Sequence, residues 1–324
     1  MENNEAPNKQ YFEDTVSTIS QNIKDTAGNI TQQATEVAKK SIDYYTSKTI
    51  VIVGLFFVLI LAIFVAYGLY ILISASIFNQ SKNVIEKTRI PILCNTGSKF
   101  LIETFNKTGN GKRRSYTFWI YINDLTKYSG SYKHVWHIGS QGDIRDANPY
   151  IFLDKEENKL YVRFASIDKT TDSFTKVVNS VQSFNQTDLN DFMQQGIVIP
   201  YIPLQRWVHI AIVVNENSNG GTIVAYVDGD ISKIVTTGEI RENNKSLILR
   251  NLDLDKMGDL YVGGNMDSNY GVGFSGLIAK VALYNYDLND KDIYKDYNEG
   301  PLSGFLASLG LSNYGLRSPI YKIT

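Results

Sequence analysis

Four aspartates lie close together in the sequence and could supply ligands for a metal ion. Asp253, Asp255, Asp259 and Asp267 surround a short Gly-Gly strand segment. Calcium in proteins takes several oxygen ligands of this kind. Aspartates that alternate in a loop also occur in ordinary solvated turns. The spacing leaves both interpretations open; we favour turn chemistry and predict no other cofactor.

Histidine and cysteine, which often act as metal ligands or nucleophiles, are scarce in this chain. The three histidines, His134, His137 and His209, lie in strand-like segments and form no readable motif, so we expect a structural role for each. Cys94 is the single cysteine. An intrachain disulfide and a CxxC-type zinc or redox site are therefore excluded.

The charge balance argues against a nucleic-acid partner. The chain has 32 Lys and Arg residues against 33 Asp and Glu, a formal net charge of −1. Such a chain has no global field that would attract it to a polyanion.

One uninterrupted apolar run, residues 49–81, contains no Asp, Glu, Lys, Arg or His. About 20 apolar residues suffice for a helix to cross a bilayer, and the run starts too late and is too long for a cleavable signal peptide. The sequence therefore predicts a single-pass membrane protein. Lysines flank both ends of the run, so the positive-inside rule does not decide its orientation. Because the run is not a cleavable signal peptide, we take a cytoplasmic N-terminus as the default. The sequons at Asn106, Asn185 and Asn244 would be glycosylated if the part beyond the run is lumenal.

Residues 11–48 form an arm between a polar start, residues 1–10, which we expect to be disordered, and the apolar run. From Val16 the arm falls into three segments of 11 residues, which begin at Val16, Ala27 and Ala38. An 11-residue period keeps one face of a helix apolar. The arm is predicted to be an amphipathic helix that needs a partner surface, either the membrane interface or a helical bundle with copies of itself or another protein.

The region 95–300 alternates apolar and polar residues between Gly, Asn and Asp clusters, which is typical of antiparallel strands. Asp228-Gly229 is a strong hairpin signal because glycine accepts positive φ, and residues 154–159 form a second polar connector. These patterns predict an all-β sandwich or barrel with strands at 116–122, 150–153, 160–164, 207–214, 222–227, 231–235, 260–262 and 277–284.

Several segments of this region carry a family resemblance. They are Trp-Val-His-Ile-Ala-Ile-Val-Val at 207–214, Ala-Tyr-Val-Asp-Gly at 225–229, Leu-Tyr-Val-Gly-Gly at 260–264, and the closing stretches 274–285 and 288–300. Together they resemble the concanavalin A-like lectin/glucanase superfamily, and more narrowly the laminin G-like (LamG) domains. The resemblance covers roughly residues 100–300. It implies a jelly-roll of two antiparallel sheets that contacts ligands or partners through its loops or concave face.

Glycosidases of that superfamily need two carboxylates close together, and the related glucanases carry them in a Glu-x-Asp-x-x-Glu pattern on one strand. This chain has no such pattern. Glu216 falls in a polar loop, and Glu239 and Glu242 flank a polar segment, without the strand context. We therefore expect a protein that is not an enzyme.

Residues 168–203 depart from the family pattern and contain a helix-like stretch, residues 188–193, capped by Thr187. Long loops of compact domains often carry function, so this insertion is the predicted partner surface. The tail, residues 301–324, is predicted to dock on the sandwich or on a neighbour.

Two functions remain open. The first is a membrane-anchored structural protein whose LamG-like domain contacts a protein partner or a coat, and the composition resembles proteins of large DNA viruses, which suggests a link between a virion membrane and a capsid. The second is a lectin-like receptor for carbohydrate. In that case exposed Tyr132, Tyr150 or Tyr270 would stack against sugar rings.

Overall fold

The computed structural model of this chain describes residues 8–45, 48–102, 112–170, 172–241, 245–255 and 258–302. The sequons at Asn106 and Asn244, together with Glu242, lie outside these ranges. So do the first seven residues of the predicted start and the predicted tail beyond residue 302. The chain divides into two compact units, Met1–Ser76 and Ile77–Thr324.

Two long helices lead the chain. α1 (Asn8–Tyr45) occupies the predicted arm and already begins inside the start that was expected to be disordered, and α2 (Lys48–Ser81) occupies the apolar run. Within α2, the stretch Val53–Tyr70 is long and apolar enough to cross a membrane, and none of its side chains is buried. Both predicted N-terminal helices are therefore confirmed as helices.

Two antiparallel sheets form a sandwich in the second unit. In the first sheet the strand order is β1-β13-β4-β9-β10-β11, and β2 also pairs with β13. Its strands are β1 (Lys82–Val84), β2 (Ile92–Leu93), β4 (Lys112–Asp124), β9 (Trp207–Asn217), β10 (Gly220–Val227), β11 (Asp230–Thr236) and β13 (Ser275–Tyr284). In the second sheet the order is β3-β12-β5-β6-β7-β8. Its strands are β3 (Ser98–Phe100), β5 (Lys133–Gly139), β6 (Tyr150–Leu153), β7 (Leu160–Arg163), β8 (Gly196–Ile199) and β12 (Asp259–Val262).

The main core lies between the sheets, where alternate side chains of each strand point. In β9, alternation along the predicted strand 207–214 places Val208, Ile210, Ile212 and Val214 on one face, and all four belong to this core. An edge-to-face contact between Phe118 of β4 and Trp136 of β5, 5.4 Å between ring centres, joins the two sheets. Burial of these apolar faces is what holds the sheets together.

The predicted hairpin is confirmed. β10 and β11 pair through Val227 and Asp230, and the two turn residues, Asp228 and Gly229, have φ of 54° and 90°. Positive φ at both central residues matches the right-handed twist of the flanking strands. The polar connector 154–159 likewise joins β6 to β7.

Two local predictions differ from the structure. The helix of the insertion is α3 (Gln186–Phe192), and its N-cap is Asn185, not Thr187. Asn185 accepts a hydrogen bond from the Asp188 N–H, and the Asp188 carboxylate accepts one from the Asn185 N–H, so the reciprocal pair determines where the helix starts. Strand β5 is missing from the predicted strand ranges, although His134 and His137 were expected in strand-like segments. Lys133, His134 and His137 interrupt its apolar pattern, and all three are buried.

A last helix, α4 (Asp290–Asn298), packs on the outer face of the first sheet. Tyr297 stacks on Trp119 with ring centres 5.7 Å apart. His209 Nε2 lies 3.2 Å from Asp296 Oδ2, and both side chains are buried. His209 is thus a packing residue between sheet and helix, as expected from the sequence.

Candidate functional site: a polar cleft beside the insertion

The insertion, residues 168–203, covers the outer face of the second sheet. In β6, Ile151 and Leu153 point into the main core, so Tyr150 and Phe152 point outward. The insertion places Phe192 against both outward rings, at 6.0 Å from Tyr150 and 6.2 Å from Phe152 between ring centres. A second apolar cluster therefore covers a sheet face that would otherwise contact solvent. The insertion contributes to this cluster Phe174, Val181, Phe184, Leu189, Phe192 and Met193.

A buried arginine ties the insertion to the sheet. Arg163, at the end of β7, forms an ion pair with Asp172 and donates hydrogen bonds from Nε to the Phe192 carbonyl (3.0 Å) and from Nη1 to the Arg145 carbonyl (3.2 Å). Burial lowers the pKa of the Arg163 guanidinium, and the charge of Asp172 opposes that shift. A buried charge needs such partners, because unpaired it is costly to desolvate.

Beside the covered face, the insertion borders a cleft of about 590 Å³. The loop after β5 forms one wall, the insertion forms another, and the loop after β12 closes the third side. Three side-chain amides and two hydroxyls line the cleft, and no charged side chain is among the lining residues. These residues are Gln141, Gly142, Val177, Val178, Asn179, Ser180, Ser183 and Asn269.

Hydrogen bonds to backbone carbonyls of the insertion hold the walls of the cleft in place. The Ile144 N–H donates to the Val178 carbonyl (2.9 Å), and Arg145 Nη1 donates to the Thr175 carbonyl (3.0 Å). Asp143 in turn pairs with Arg145 at 2.6 Å. The first two walls therefore form a connected, preorganised frame, which reduces the ordering cost of binding.

The third wall depends on a glycine. Gly271 has φ of +114°, and a Cβ at this position would lie 3.3 Å from the Ser180 side chain. The loop before it turns through a hydrogen bond from the Asn265 N–H to the Ser268 hydroxyl (3.0 Å). This turn brings Asn269 to the cleft from a strand distant in sequence.

Under this loop lies a buried pair of histidines. His134 Nδ1 lies 2.6 Å from the Gly263 carbonyl, and His134 Nε2 lies 2.8 Å from His137 Nδ1. Desolvation lowers the pKa of His134 to about 4 and the pKa of His137 well below its usual value. Both rings are therefore neutral at pH 7. Each carries one proton, which His134 donates to the carbonyl and His137 donates to His134. Their rings pack against Tyr150 and Tyr270.

The three tyrosines predicted to stack on sugars are not exposed. Tyr132, Tyr150 and Tyr270 retain only 4%, 0% and 6% of their accessible surface. The Tyr150 hydroxyl donates to the Tyr270 carbonyl at 3.2 Å, and Tyr132 packs edge-to-face on Phe152. The prediction is wrong because these rings fill the space between the second sheet and its covering loops.

The four aspartates do not converge on one point. Asp259 pairs with Lys99 at 2.7 Å, and Asp255 pairs with Arg114 at 2.6 Å. Asp267 is exposed in the turn at Asn265, whose side chain accepts its N–H. Among the described residues, no group of three or more His, Cys, Asp or Glu side chains could hold a metal ion. The geometry of the described residues therefore does not support the calcium alternative.

Two further residues have roles that differ from, or add to, the sequence prediction. Glu216 belongs to β9 and not to a loop, and its carboxylate accepts the N–H groups of Asn251 (2.6 Å) and Leu252 (2.8 Å). Glu216 therefore fixes the backbone at Asn251 and Leu252 against the end of β9. Asn185, the sequon within the described residues, is exposed while it caps α3.

The cleft residues themselves carried no sequence signal. Gln141, Asn179 and Asn269 are ordinary polar loop residues separated by dozens of positions. The one useful pointer was the length of the insertion, which supplies one wall of the cleft.

No protein-family model matches the sequence, and no curated protein matches it. Among solved structures, the botulinum neurotoxin serotype D binding domain is similar at 13% identity and a TM-score of 0.37, over 63% of this chain and 41% of that chain. The botulinum neurotoxin type G receptor binding domain is similar at 12% identity and a TM-score of 0.36, over 64% of this chain and 45% of that chain. The present chain thus spans less than half of either domain, and likeness at this level assigns neither family nor ligand.

Proposed function

We propose that this chain is a membrane-anchored carbohydrate-binding protein that takes a neutral sugar in the cleft beside the insertion. The observation that carries the proposal is the cleft lining, in which Gln141, Asn179 and Asn269 supply amides and Ser180 and Ser183 supply hydroxyls.

The lining suits a hydroxyl-rich ligand. A sugar hydroxyl both donates and accepts a hydrogen bond, and each side-chain amide or hydroxyl can also do both. A volume of about 590 Å³ is within the usual range for small-ligand pockets. Since no charged group is among the lining residues, neutral glycans are favoured over sialylated or sulfated ones.

The rest of the proposal concerns architecture and activity. The sandwich is proposed to be a LamG-like jelly-roll, and α2 is proposed to anchor it in a membrane by its length and apolar composition. A binding role is proposed rather than hydrolysis, because the cleft lining contains amides and hydroxyls but no pair of carboxylates.

The test measures binding of the full chain, in detergent micelles, to a panel of neutral and sialylated glycans. Asn179→Ala and Asn269→Ala should each weaken binding of a neutral glycan by about 3- to 10-fold, because each removes a hydrogen-bonding group worth about 0.5–1.5 kcal/mol. Asn219→Ala, in the exposed turn between β9 and β10, is the matched control. No binding to any glycan, or equal effects of all three variants, would refute the proposal.

A protein partner is the second candidate, favoured by a groove between the β10–β11 hairpin and α4 that combines apolar and charged side chains. This groove has a volume of about 550 Å³ and is lined by Tyr226, Gly229, Asp230, Ile231, Asp290, Lys291 and Tyr294. Ile231 and Tyr294 are more than half exposed, and exposed apolar patches often mark protein contacts.

For this second function, we propose that the groove binds the coat protein of a virus particle and that α2 lies in the membrane of the same particle. The full chain should then be found in purified particles. A photo-crosslinking residue at position 294 should give a discrete coat adduct, whereas one at position 156, at the β6–β7 tip, should not. Absence of the chain from such particles would exclude this function and leave carbohydrate binding unaffected.

A further inference from the structure

Tyr150 is not among the residues that line the cleft, but its hydroxyl contacts two of the cleft walls. The side chain is fully buried, and the hydroxyl donates to the Tyr270 carbonyl at 3.2 Å. The same hydroxyl accepts a hydrogen bond from the Val181 backbone N–H, which opposes the rise that burial causes in its pKa. Tyr270 directly follows Asn269 of the third wall, and Val181 directly follows Ser180 of the insertion wall. One hydroxyl therefore connects two walls that are distant in sequence.

On the third wall, the hydroxyl holds a tight turn. The turn spans residues 268–271 and is closed by a hydrogen bond from the Gly271 N–H to the Ser268 carbonyl (3.3 Å). Asn269 and Tyr270 are its two central residues. The hydrogen bond to the Tyr270 carbonyl fixes the peptide group that links Tyr270 to Gly271. The direction in which the Asn269 side chain leaves the turn is thereby fixed as well.

The insertion wall has a turn of the same kind. The Phe184 N–H donates to the Val181 carbonyl (3.1 Å), so Ser183 lies within this turn. The Val181 side chain is buried in the second apolar cluster, and its N–H bonds the bridging hydroxyl. The two anchored segments together carry three of the five polar side chains of the cleft, namely Ser180, Ser183 and Asn269.

The two walls come close together at the bridging hydroxyl. A Cβ on Gly271 would lie 3.3 Å from the Ser180 side chain and 4.0 Å from the Tyr150 hydroxyl. The Tyr150 ring itself is held by His134 and His137, each with its ring centre 5.3 Å away. The hydroxyl is therefore a fixed point to which both walls are attached, and such support keeps binding groups in their productive geometry.

We propose that Tyr150 is a positioning residue of the cleft, whose hydroxyl sets the spacing between Asn269 on one wall and Ser180 and Ser183 on the other. Its effect on a sugar rests on the function proposed above, whereas the link between the walls belongs to the fold. Without the hydroxyl, both turns keep their own hydrogen bonds but lose their common anchor. The sugar must then order the walls when it binds, and this ordering costs affinity.

The test compares two tyrosine-to-phenylalanine variants of the full chain in detergent micelles. Tyr150→Phe removes the bridge and keeps the packed ring. Tyr161→Phe is the matched control, because its hydroxyl donates to the Asp154 carboxylate (2.8 Å) and its ring stacks on Phe152 in the same cluster. Neither Tyr161 nor Asp154 is among the lining residues. Both variants lose a buried hydrogen bond, so both should be less stable than the wild type.

Only the bridge variant should affect binding. Tyr150→Phe should weaken binding of a neutral glycan by about fivefold, as expected for the loss of one ordinary hydrogen bond. Tyr161→Phe should bind within about twofold of the wild type. Unchanged binding by Tyr150→Phe, or equal weakening by the two variants, would overturn the proposal.

A double-mutant cycle separates positioning from a general loss of stability. The effect of Tyr150→Phe on binding should be smaller in an Asn269→Ala background than in a Gln141→Ala background, because Asn269 is the group that the hydroxyl positions and Gln141 belongs to the first wall. Equal effects in the two backgrounds would contradict a positioning role.

Hydrogen exchange tests the bridge without any sugar. Backbone amides in segments 177–184 and 265–272 should exchange at least about threefold faster in Tyr150→Phe than in the wild type, and at the wild-type rate in Tyr161→Phe. Unchanged exchange in either segment of Tyr150→Phe would overturn the bridge. A wild type that binds no glycan would refute the proposed function, and the exchange rates would still decide whether Tyr150 links the two walls.

Discussion

The buried histidine pair should make the sandwich sensitive to mild acid. His134 and His137 are neutral when folded, because burial lowers the pKa of His134 to about 4 and the pKa of His137 well below its usual value. In the unfolded chain each pKa returns to about 6.5. As the pH falls below about 6.5, the unfolded state therefore takes up protons that the folded state does not, and stability decreases until the folded pKa is reached.

The magnitude follows from the two pKa values of His134. Between about pH 7.5 and pH 5.0, a shift from about 6.5 to about 4 removes about 2 kcal/mol of the free energy of unfolding. Burial also lowers the pKa of His137, so His137 adds to the loss in the same direction. Carboxylates contribute little in this window. Asp124, whose pKa is lowered to about 2 mainly by its hydrogen bond from Thr126, stabilises the fold above its unfolded pKa and loses that contribution only at lower pH.

The assay is urea unfolding of the full chain in micelles at a series of pH values, followed by tryptophan fluorescence. All three tryptophans, Trp119, Trp136 and Trp207, lie in strands of the sandwich, so the signal reports that domain. The free energy of unfolding should fall by at least about 2 kcal/mol, the contribution of His134 alone, from about pH 7.5 to pH 5.0. The double variant His134→Gln/His137→Gln should be less stable at neutral pH and should lose most of this pH dependence.

Proton NMR of the two imidazole rings gives a test that does not depend on a folded variant. Neither ring should titrate above about pH 5 in the folded chain. A ring that titrates near pH 6.5 while the sandwich stays folded would refute the reasoning, as would a stability that does not change between pH 7.5 and 5.0.

Two further variants test how the insertion and the hairpin are held. Asp172→Ala should lower the free energy of unfolding by about 3–5 kcal/mol, because it leaves the buried Arg163 without its counter-charge. Asp168→Ala, at a nearby exposed position, should lower it by less than about 1 kcal/mol. Equal losses for the two variants in denaturant titrations would contradict the role of Asp172. Gly229→Ala should lower the free energy of unfolding by about 1 kcal/mol or more, because Gly229 has φ of +90°. Gly142→Ala, where a Cβ meets nothing within 4 Å, should leave the thermal midpoint unchanged. An unchanged stability of Gly229→Ala would show that the turn can rearrange.

Local rules predicted the elements whose determinants lie within a few residues. The β10–β11 hairpin followed from Asp228-Gly229, because the conformation of that turn depends on those two residues. The core face of β9 followed from its alternation. Local rules failed for β5 and for the α3 cap. In β5 the buried Lys133 donates to carbonyls of the β6–β7 connector and His134 contacts the Gly263 carbonyl, so their partners are distant in sequence. At α3, Asn185 and Thr187 are both suitable cap residues, and the backbone geometry selects Asn185.

The sequence by itself determined the apolar run, the 11-residue repeat of α1, the β-rich character of the large unit and the place of the insertion. Each of these depends on composition or on a period that is complete within one segment. The tertiary structure alone decided that Tyr132, Tyr150 and Tyr270 are buried, that the four aspartates stay apart, and that Gln141, Asn179 and Asn269 meet at one cleft. Those outcomes depend on which distant loops pack on the second sheet, and the polarity of a short segment contains no information about its partners across the fold.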